Sequence, residues 1–175
     1  MRTSRSQKLR ILTLTGLFTA LTTVATLVIQ IPTLTKGYIN LGDTIVNLAA
    51  WLLGPVYGTA AAGIGSALAD LIAGYTIYAP ATLVIKALMA AASFGVFTAF
   101  SKKWHTLPAR IAGAVTAEVI MIAGYAIFEA FLYGSLGSAL LSVSGNLVQG
   151  IFGAGASVAL YELLIRHVPK FLRSK

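Results

Sequence analysis

Six apolar runs divide the chain. The first spans Leu9 to Ile31 and stops at Pro32, which lacks an amide hydrogen and restricts the residue before it. The segment Pro32 to Gly42 (PTLTKGYINLG) is polar and turn-rich, and reads as a loop. A short second run, Asp43 to Leu53, ends at the breaker Gly54-Pro55. The third run covers Val56 to Ala73, and the loop Gly74 to Ala79 carries two tyrosines. Pro80 suits the first turn of a helix and opens the fourth run, which extends to about Ser101. The basic stretch Ser101 to Leu107 follows; Pro108 then opens the fifth run, ending near Tyr133. Gly134 to Ser138 reads as a turn, and the sixth run goes from Ala139 to about Arg166 before a basic tail.

These lengths predict an all-α membrane protein, a compact bundle of six transmembrane helices with the second and third short or tilted. Six spans of about 20 residues use about 120 residues and leave no room for a soluble catalytic domain. The 175 residues therefore form a single membrane domain. The second run is too short to span alone, so it pairs with the third as a tilted or re-entrant hairpin. Four full spans plus a buried hairpin is the variant of this expectation.

Composition agrees. The chain is 57% hydrophobic and 10% charged, against about 25% charged for a soluble domain. The net charge of +8 allows either a nucleic-acid or a membrane partner. Its distribution decides for the membrane. Arg2, Arg5, Lys8 and Arg10 flank the first run, Lys102, Lys103 and Arg110 the loop after the fourth, and Arg166, Lys170, Arg173 and Lys175 the C-terminal end. Eleven of thirteen basic residues thus fall on one face, which the positive-inside rule makes cytoplasmic, with both termini there. The N-terminal run resembles a signal peptide, but no small-residue cleavage site and polar mature region follow, so it reads as a retained first span. No basic, aromatic-interleaved nucleic-acid surface remains.

Ionisable groups inside a bilayer are costly, so their depth is informative. Asp43 opens the second run at its outer end, and Asp70 lies just before the outer end of the third. Lys86 lies about 9 Å inward of Pro80, at about 1.5 Å per residue. Glu129 sits one turn below the outer end of the fifth run, and Asn146 and Gln149 fall in the outer half of the sixth. Glu118, Ile122, Tyr125 and Glu129 share one helical face. Loop residues Lys36, Tyr38, Asn40, Tyr75 and Tyr78 cap the same side. The pattern describes an outward-facing polar pocket in an apolar bundle, suited to a small, partly aromatic, hydrogen-bonding solute. Each residue has a structural alternative. Asp70 and Lys86 form an internal salt bridge, Glu118 bonds Asn47 or a threonine, Glu162 pairs with Arg166, and Asn146 and Gln149 act as interhelical glue.

Gly16 and Ala20 lie four apart on the first helix, as do Gly150 and Ala154 on the sixth, spacings that let helices approach closely. There is no GxxxxGK[ST] for holding ATP, no HExxH or histidine cluster for a metal, and no cysteine. His105 and His167 sit at separate ends, which removes a Ser/His/Asp arrangement. No enzyme, resident cofactor or metal is expected.

The stretches GYINLGDTIVNLAAWLLGP (Gly37 to Pro55), ALADLIAGYTIYAPATLVIKALM (Ala67 to Met89) and GNLVQGIFGA (Gly145 to Ala154) resemble the substrate-binding S components of energy-coupling factor (ECF) vitamin transporters. The resemblance covers essentially the whole chain, and the overall pattern is most similar to the hydroxymethylpyrimidine or pyridoxine type. It implies high-affinity capture of a vitamin from outside. It also implies delivery by toppling in the membrane when docked on a transmembrane T component with two ABC-type ATPases, which hydrolyse the ATP. The family's pocket then places Lys36, Tyr38, Asn40, Tyr75, Tyr78, Lys86, Tyr125, Glu129, Asn146 and Gln149 at or near the ligand. The family's small-residue docking motif falls on Gly16 and Ala20, with Val24 where a third small residue would extend it. The competing expectation is a stand-alone, proton-coupled secondary carrier using Asp70, Lys86 or Glu118 as relays.

Overall fold

The computed structural model describes residues 5–32, 38–102 and 106–165. Five helices carry the fold: α1 (Arg5–Val28), α2 (Gly42–Ile72), α3 (Ala79–Ser101), α4 (Thr106–Tyr133) and α5 (Leu136–Leu164). α1, α3, α4 and α5 are each long and apolar enough to cross a membrane, and α2 reaches that length by joining two segments. A two-stranded antiparallel ribbon, β1 (Ile31–Pro32) and β2 (Tyr38–Ile39), pairs Ile31 with Ile39 and Pro32 with Tyr38.

The six apolar runs appear as five elements because the second and third are continuous in α2. The second and third apolar runs form one element, broken at Gly54, whose φ of 81° and ψ of −174° are not helical. Glycine meets that positive φ without a Cβ clash, and Pro55 begins the next segment without needing an amide donor. The break is a reversal rather than a bend. Ala49 and Gly58 would lie roughly 13 Å apart along a continuous helix. Here a Cβ on Gly58 would come 2.5 Å from the Ala49 carbonyl oxygen. The two arms of α2 are thus a helical hairpin whose arms touch at Ala49, Leu53 and Ala61.

The first arm, Gly42 to Leu53, is buried throughout except for half-buried Ile45. Its length of about 18 Å cannot cross a hydrocarbon core of about 30 Å. It has no need to, because protein surrounds it. α2 packs on α3, α3 on α4, α4 on α5, and α5 returns to α2, while α1 lies against α2 from outside. This is the re-entrant hairpin that the short second run suggested, with the other helices as its wall.

α1 is the opposite case. It buries Thr22, Thr23 and Thr26 against the bundle and leaves Leu9, Leu12, Leu17, Leu21, Val24 and Val28 exposed. Its threonine hydroxyls donate to carbonyls four residues back, as Thr15 does to Ile11 at 2.7 Å and Thr22 to Phe18 at 2.8 Å. A hydroxyl satisfied within its own helix can face lipid at low cost. Thr23 also donates across to the Gly65 carbonyl at 2.9 Å, which fixes α1 on α2.

At the end near Gly54 the core closes on aromatic rings. Trp51, fully buried, meets Tyr161 edge-on at 5.6 Å between centroids and Phe97 at 6.4 Å. The Arg110 guanidinium lies 4.1 Å from the Tyr161 ring centroid and donates to Glu162 at 2.9 Å. Glu162 was expected to pair with Arg166, which lies outside the described residues. Arg110, expected in a basic loop, is instead buried in the first turns of α4.

Candidate functional site

The opposite end of the bundle is polar, and the chain order explains why. The first arm of α2 starts there with Asp43, α3 brings Lys86, α4 brings Glu118, Tyr125 and Glu129, and α5 brings Asn146 and Gln149. The ribbon and the α2–α3 turn cover them with Tyr38, Asn40, Tyr75 and Tyr78.

The deepest layer is an ion pair. Lys86 donates to Asp43 Oδ1, and both side chains are buried. The anticipated Asp70–Lys86 pair is not formed. Asp43, in the first turn of α2, offers its carboxylate from an element packed against α3. The Asp43 carboxylate takes a second donor, Gln149 Nε2, at 2.5 Å. Gly153 makes this approach possible, since a Cβ there would come 2.9 Å from both Asp43 Cβ and Glu118 Oε1. Gly150 similarly sits against Glu118 Cβ. The small face of α5 is therefore internal packing around two acids.

Glu118 accepts from Asn47 Nδ2 at 3.2 Å, and Asn47 Oδ1 accepts from Ser93 at 2.8 Å. The structural alternative for Glu118 is what the structure shows. The polar stripe on α4 thus divides: Glu118 serves this buried network, while Tyr125 and Glu129 reach the pocket above it.

Above the ion pair lies a pocket lined by Tyr38, Asn40, Tyr75, Tyr78, Tyr125 and Glu129, with Asn146 and Gln149 from α5. Eight of the ten residues expected near the ligand converge here. Lys86 is not in the lining. It lies beneath, 5.5 Å from the centroid of the Tyr125 ring, with its charge committed to Asp43. Lys36 lies outside the described residues. Asp70, read chiefly as the salt-bridge partner of Lys86, also lines the pocket, as do Thr82 and Ser142, which were not singled out. Helical spacing carried the signal for two of them. Thr82 is one turn before Lys86, and Ser142 one turn before Asn146, on the same faces.

Hydrogen bonds hold the cover down. The Tyr38 hydroxyl donates to Asp70 Oδ1 at 2.7 Å. Gln149 Oε1 accepts from the Asn40 backbone N–H at 2.8 Å and from its side-chain amide at 3.3 Å. Asn40 Oδ1 then accepts from the Gly42 N–H at 2.8 Å, at the start of α2. Tyr38 and Tyr75 lie 4.7 Å apart between ring centroids, and Tyr75 and Tyr78 meet edge-on at 6.4 Å. The Tyr78 hydroxyl reaches Glu129 Oε1 at 3.3 Å and the Tyr133 hydroxyl at 3.0 Å. Burial, then the Asp70 carboxylate, push the Tyr38 phenol well above its ordinary value. Burial, with Tyr133 and Glu129, does the same to Tyr78. Both are neutral donors over the physiological range.

Closed in this way, the pocket encloses about 40 Å³. A site for a drug-sized molecule measures roughly 300–1,000 Å³. A ligand must therefore displace the tyrosine and amide contacts of the cover. No cluster of three metal-ligating side chains forms among the described residues.

The fold is shared with solved proteins. A chain described as the S component of a bacterial ECF transporter superposes with a TM-score of 0.71 at 21% identity, over 92% of this chain and 98% of that one. The S component for biotin from an ECF-type ABC transporter gives 0.66 at 20% identity, over 99% and 100%. At these identities the likeness establishes the S-component fold. Residues 6–166 match the family described as ECF-type riboflavin transporter, S component, and the chain belongs to that family. It is also 39% identical over 133 residues to an uncharacterized protein in the gap 3′ region of Pyrococcus woesei, spanning 75% of this chain and 85% of that one. The family is one of transporter subunits, not of enzymes.

Proposed function

We propose that this chain is the vitamin-binding subunit of an ECF-type importer, and that the pocket beneath Tyr38 and Asn40 receives an aromatic, hydroxylated vitamin. The observation that carries this reading is the convergence of four tyrosines, two acids and three amides at one end of a sealed apolar bundle. Tyrosine rings supply stacking surfaces, while acids and amides supply oriented hydrogen bonds. The family's description makes riboflavin the first candidate. The small enclosed volume favours the single rings of hydroxymethylpyrimidine and pyridoxine.

The positive-inside pattern supports an orientation with both termini in the cytoplasm and the pocket outside. Ligand entry releases Asn40 from Gln149 and Tyr38 from Asp70, and the ribbon closes again over the ligand. The chain then docks on a T component with two ATPases and topples in the membrane, ATP being hydrolysed by those partners. The lateral surface is suited to reorientation because its exposed residues are mostly apolar. Gly16 and Ala20 lie on the exposed face of α1, where a Cβ on Gly16 would meet nothing within 4 Å. A partner helix can approach closely there.

Titration of the purified chain with riboflavin, hydroxymethylpyrimidine and pyridoxine tests the reading, together with uptake in cells with and without the energising module. Binding by the chain alone and accumulation only with the module are expected. Accumulation without any ATPase, abolished by an uncoupler, would instead establish the proton-coupled carrier. Gly16→Leu is expected to leave vitamin affinity unchanged and to abolish module-dependent uptake.

A further inference from the structure

Asp70 holds a carboxylate at the pocket wall with one oxygen engaged and the other not. Its residue is 5% exposed. Oδ1 accepts from Tyr38 at 2.7 Å. Oδ2 is buried and has no hydrogen-bond partner, although the side chain lines the cavity. A buried carboxylate oxygen without a donor is costly, and the cost is removed when a donor arrives. The protein does not bring a cation to it. Lys86 is committed to Asp43, and among the described residues no lysine or arginine lines the pocket. The Thr82 hydroxyl, 3.0 Å from the Tyr125 hydroxyl, also acts on this carboxylate but makes no hydrogen bond to Oδ2 in the closed pocket.

Resting on the transport reading above, we infer that Asp70 anchors the ligand, its Oδ2 accepting a hydrogen bond from an N–H donor on a ligand ring. The site therefore selects neutral or cationic nitrogen heterocycles and rejects carboxylate-bearing ones. A charged acceptor in a dry pocket discriminates strongly, because an analogue without the donor leaves the carboxylate oxygen desolvated and unpaired. The amino group of hydroxymethylpyrimidine, the imide N–H of riboflavin and the pyridinium N–H of pyridoxine each meet the requirement. Tyr38 is the positioning residue: its hydroxyl fixes the carboxylate rotamer, so that Oδ2 faces the cavity.

The test compares each vitamin with an analogue lacking only that N–H: the deaminated pyrimidine, N3-methylriboflavin and the benzene analogue of pyridoxine. Nicotinate serves as the carboxylate ring. Affinities are measured by calorimetry on the full chain in detergent. For the vitamin that binds, wild-type protein should lose roughly tenfold to a hundredfold in affinity toward the analogue. Nicotinate should not bind. Asp70→Asn should weaken the vitamin by a similar factor and leave the analogue unchanged. Tyr38→Phe keeps the carboxylate but frees its rotamer, and should reduce the discrimination less than Asp70→Asn does. Equal wild-type affinity for vitamin and analogue overturns the anchor, as does an Asp70→Asn loss shared equally by both ligands. Should Asp70→Asn fail to fold, the wild-type comparison alone decides. Binding of none of the vitamins overturns the transport reading itself, a different outcome from binding that ignores the N–H.

Discussion

The two ends of the bundle are built from the same helices and solve opposite problems. Near Gly54, Trp51, Phe97, Tyr161 and Arg110 pack ring against ring and ring against guanidinium. At the pocket end the same α2 arm, α3, α4 and α5 present carboxylates, amides and hydroxyls that bond one another through a removable cover. The comparison teaches a division of labour along each helix. The aromatic end gives rigidity by packing, and the pocket end keeps polar groups that a ligand can claim. Between them, the Lys86–Asp43 pair and the Glu118–Asn47–Ser93 chain form a polar floor beneath the pocket, in which Glu118 Oε1 is engaged and Oε2 is not.

The largest effect is expected from breaking that floor. Lys86→Met leaves Asp43 buried without its cation and should cost about 3–5 kcal/mol in thermal unfolding in detergent. Adding Asp43→Asn to it should recover most of the loss, because the isolated charge disappears. Failure to recover would mean that the pair contributes more than mutual neutralisation. Trp51→Ala should cost about 3 kcal/mol through the cavity it leaves. Vitamin affinity of the folded fraction should stay unchanged, and a parallel loss of affinity would show that the two ends are not independent. Gln149→Ala removes the acceptor that holds Asn40 and one donor to Asp43. It should raise the vitamin off-rate about tenfold in stopped-flow fluorescence. Tyr78→Phe is the smallest change: the hydroxyl contacts to Glu129 and Tyr133 go, the ring stays, and stability should fall by about 1 kcal/mol.

Most of the fold was legible because length and polarity constrain a membrane chain tightly. Proline and glycine marked each boundary, and the short second run already implied a hairpin. The closeness of the two arms was not legible, since Gly54-Pro55 marks a break without fixing the angle across it. The pocket was legible from depth. Residues in the outer half of separate helices must meet if the bundle is compact, and Tyr125, Glu129, Asn146 and Gln149 did. Pairing was not legible. Depth alone matched Lys86 to Asp70, whereas the choice of Asp43 depends on which arm of the hairpin packs against α3 at that level. No spacing rule contains that information. For the same reason Asp70, released from a lysine, became a pocket residue.

The hairpin arm also sets the order in which the protein can be made. Gly42 to Leu53 carries Asp43 and Asn47 and is too short to settle across lipid as an independent span. Its charge partner is synthesised 43 residues later, and Gln149 comes 106 residues after Asp43. The arm therefore gains its polar partners only once α3 and then α5 have been made. A ribosome stalled before α5 would leave Asp43 without one of its two donors and Asn40 without its latch. That nascent chain would be a natural target for membrane quality control.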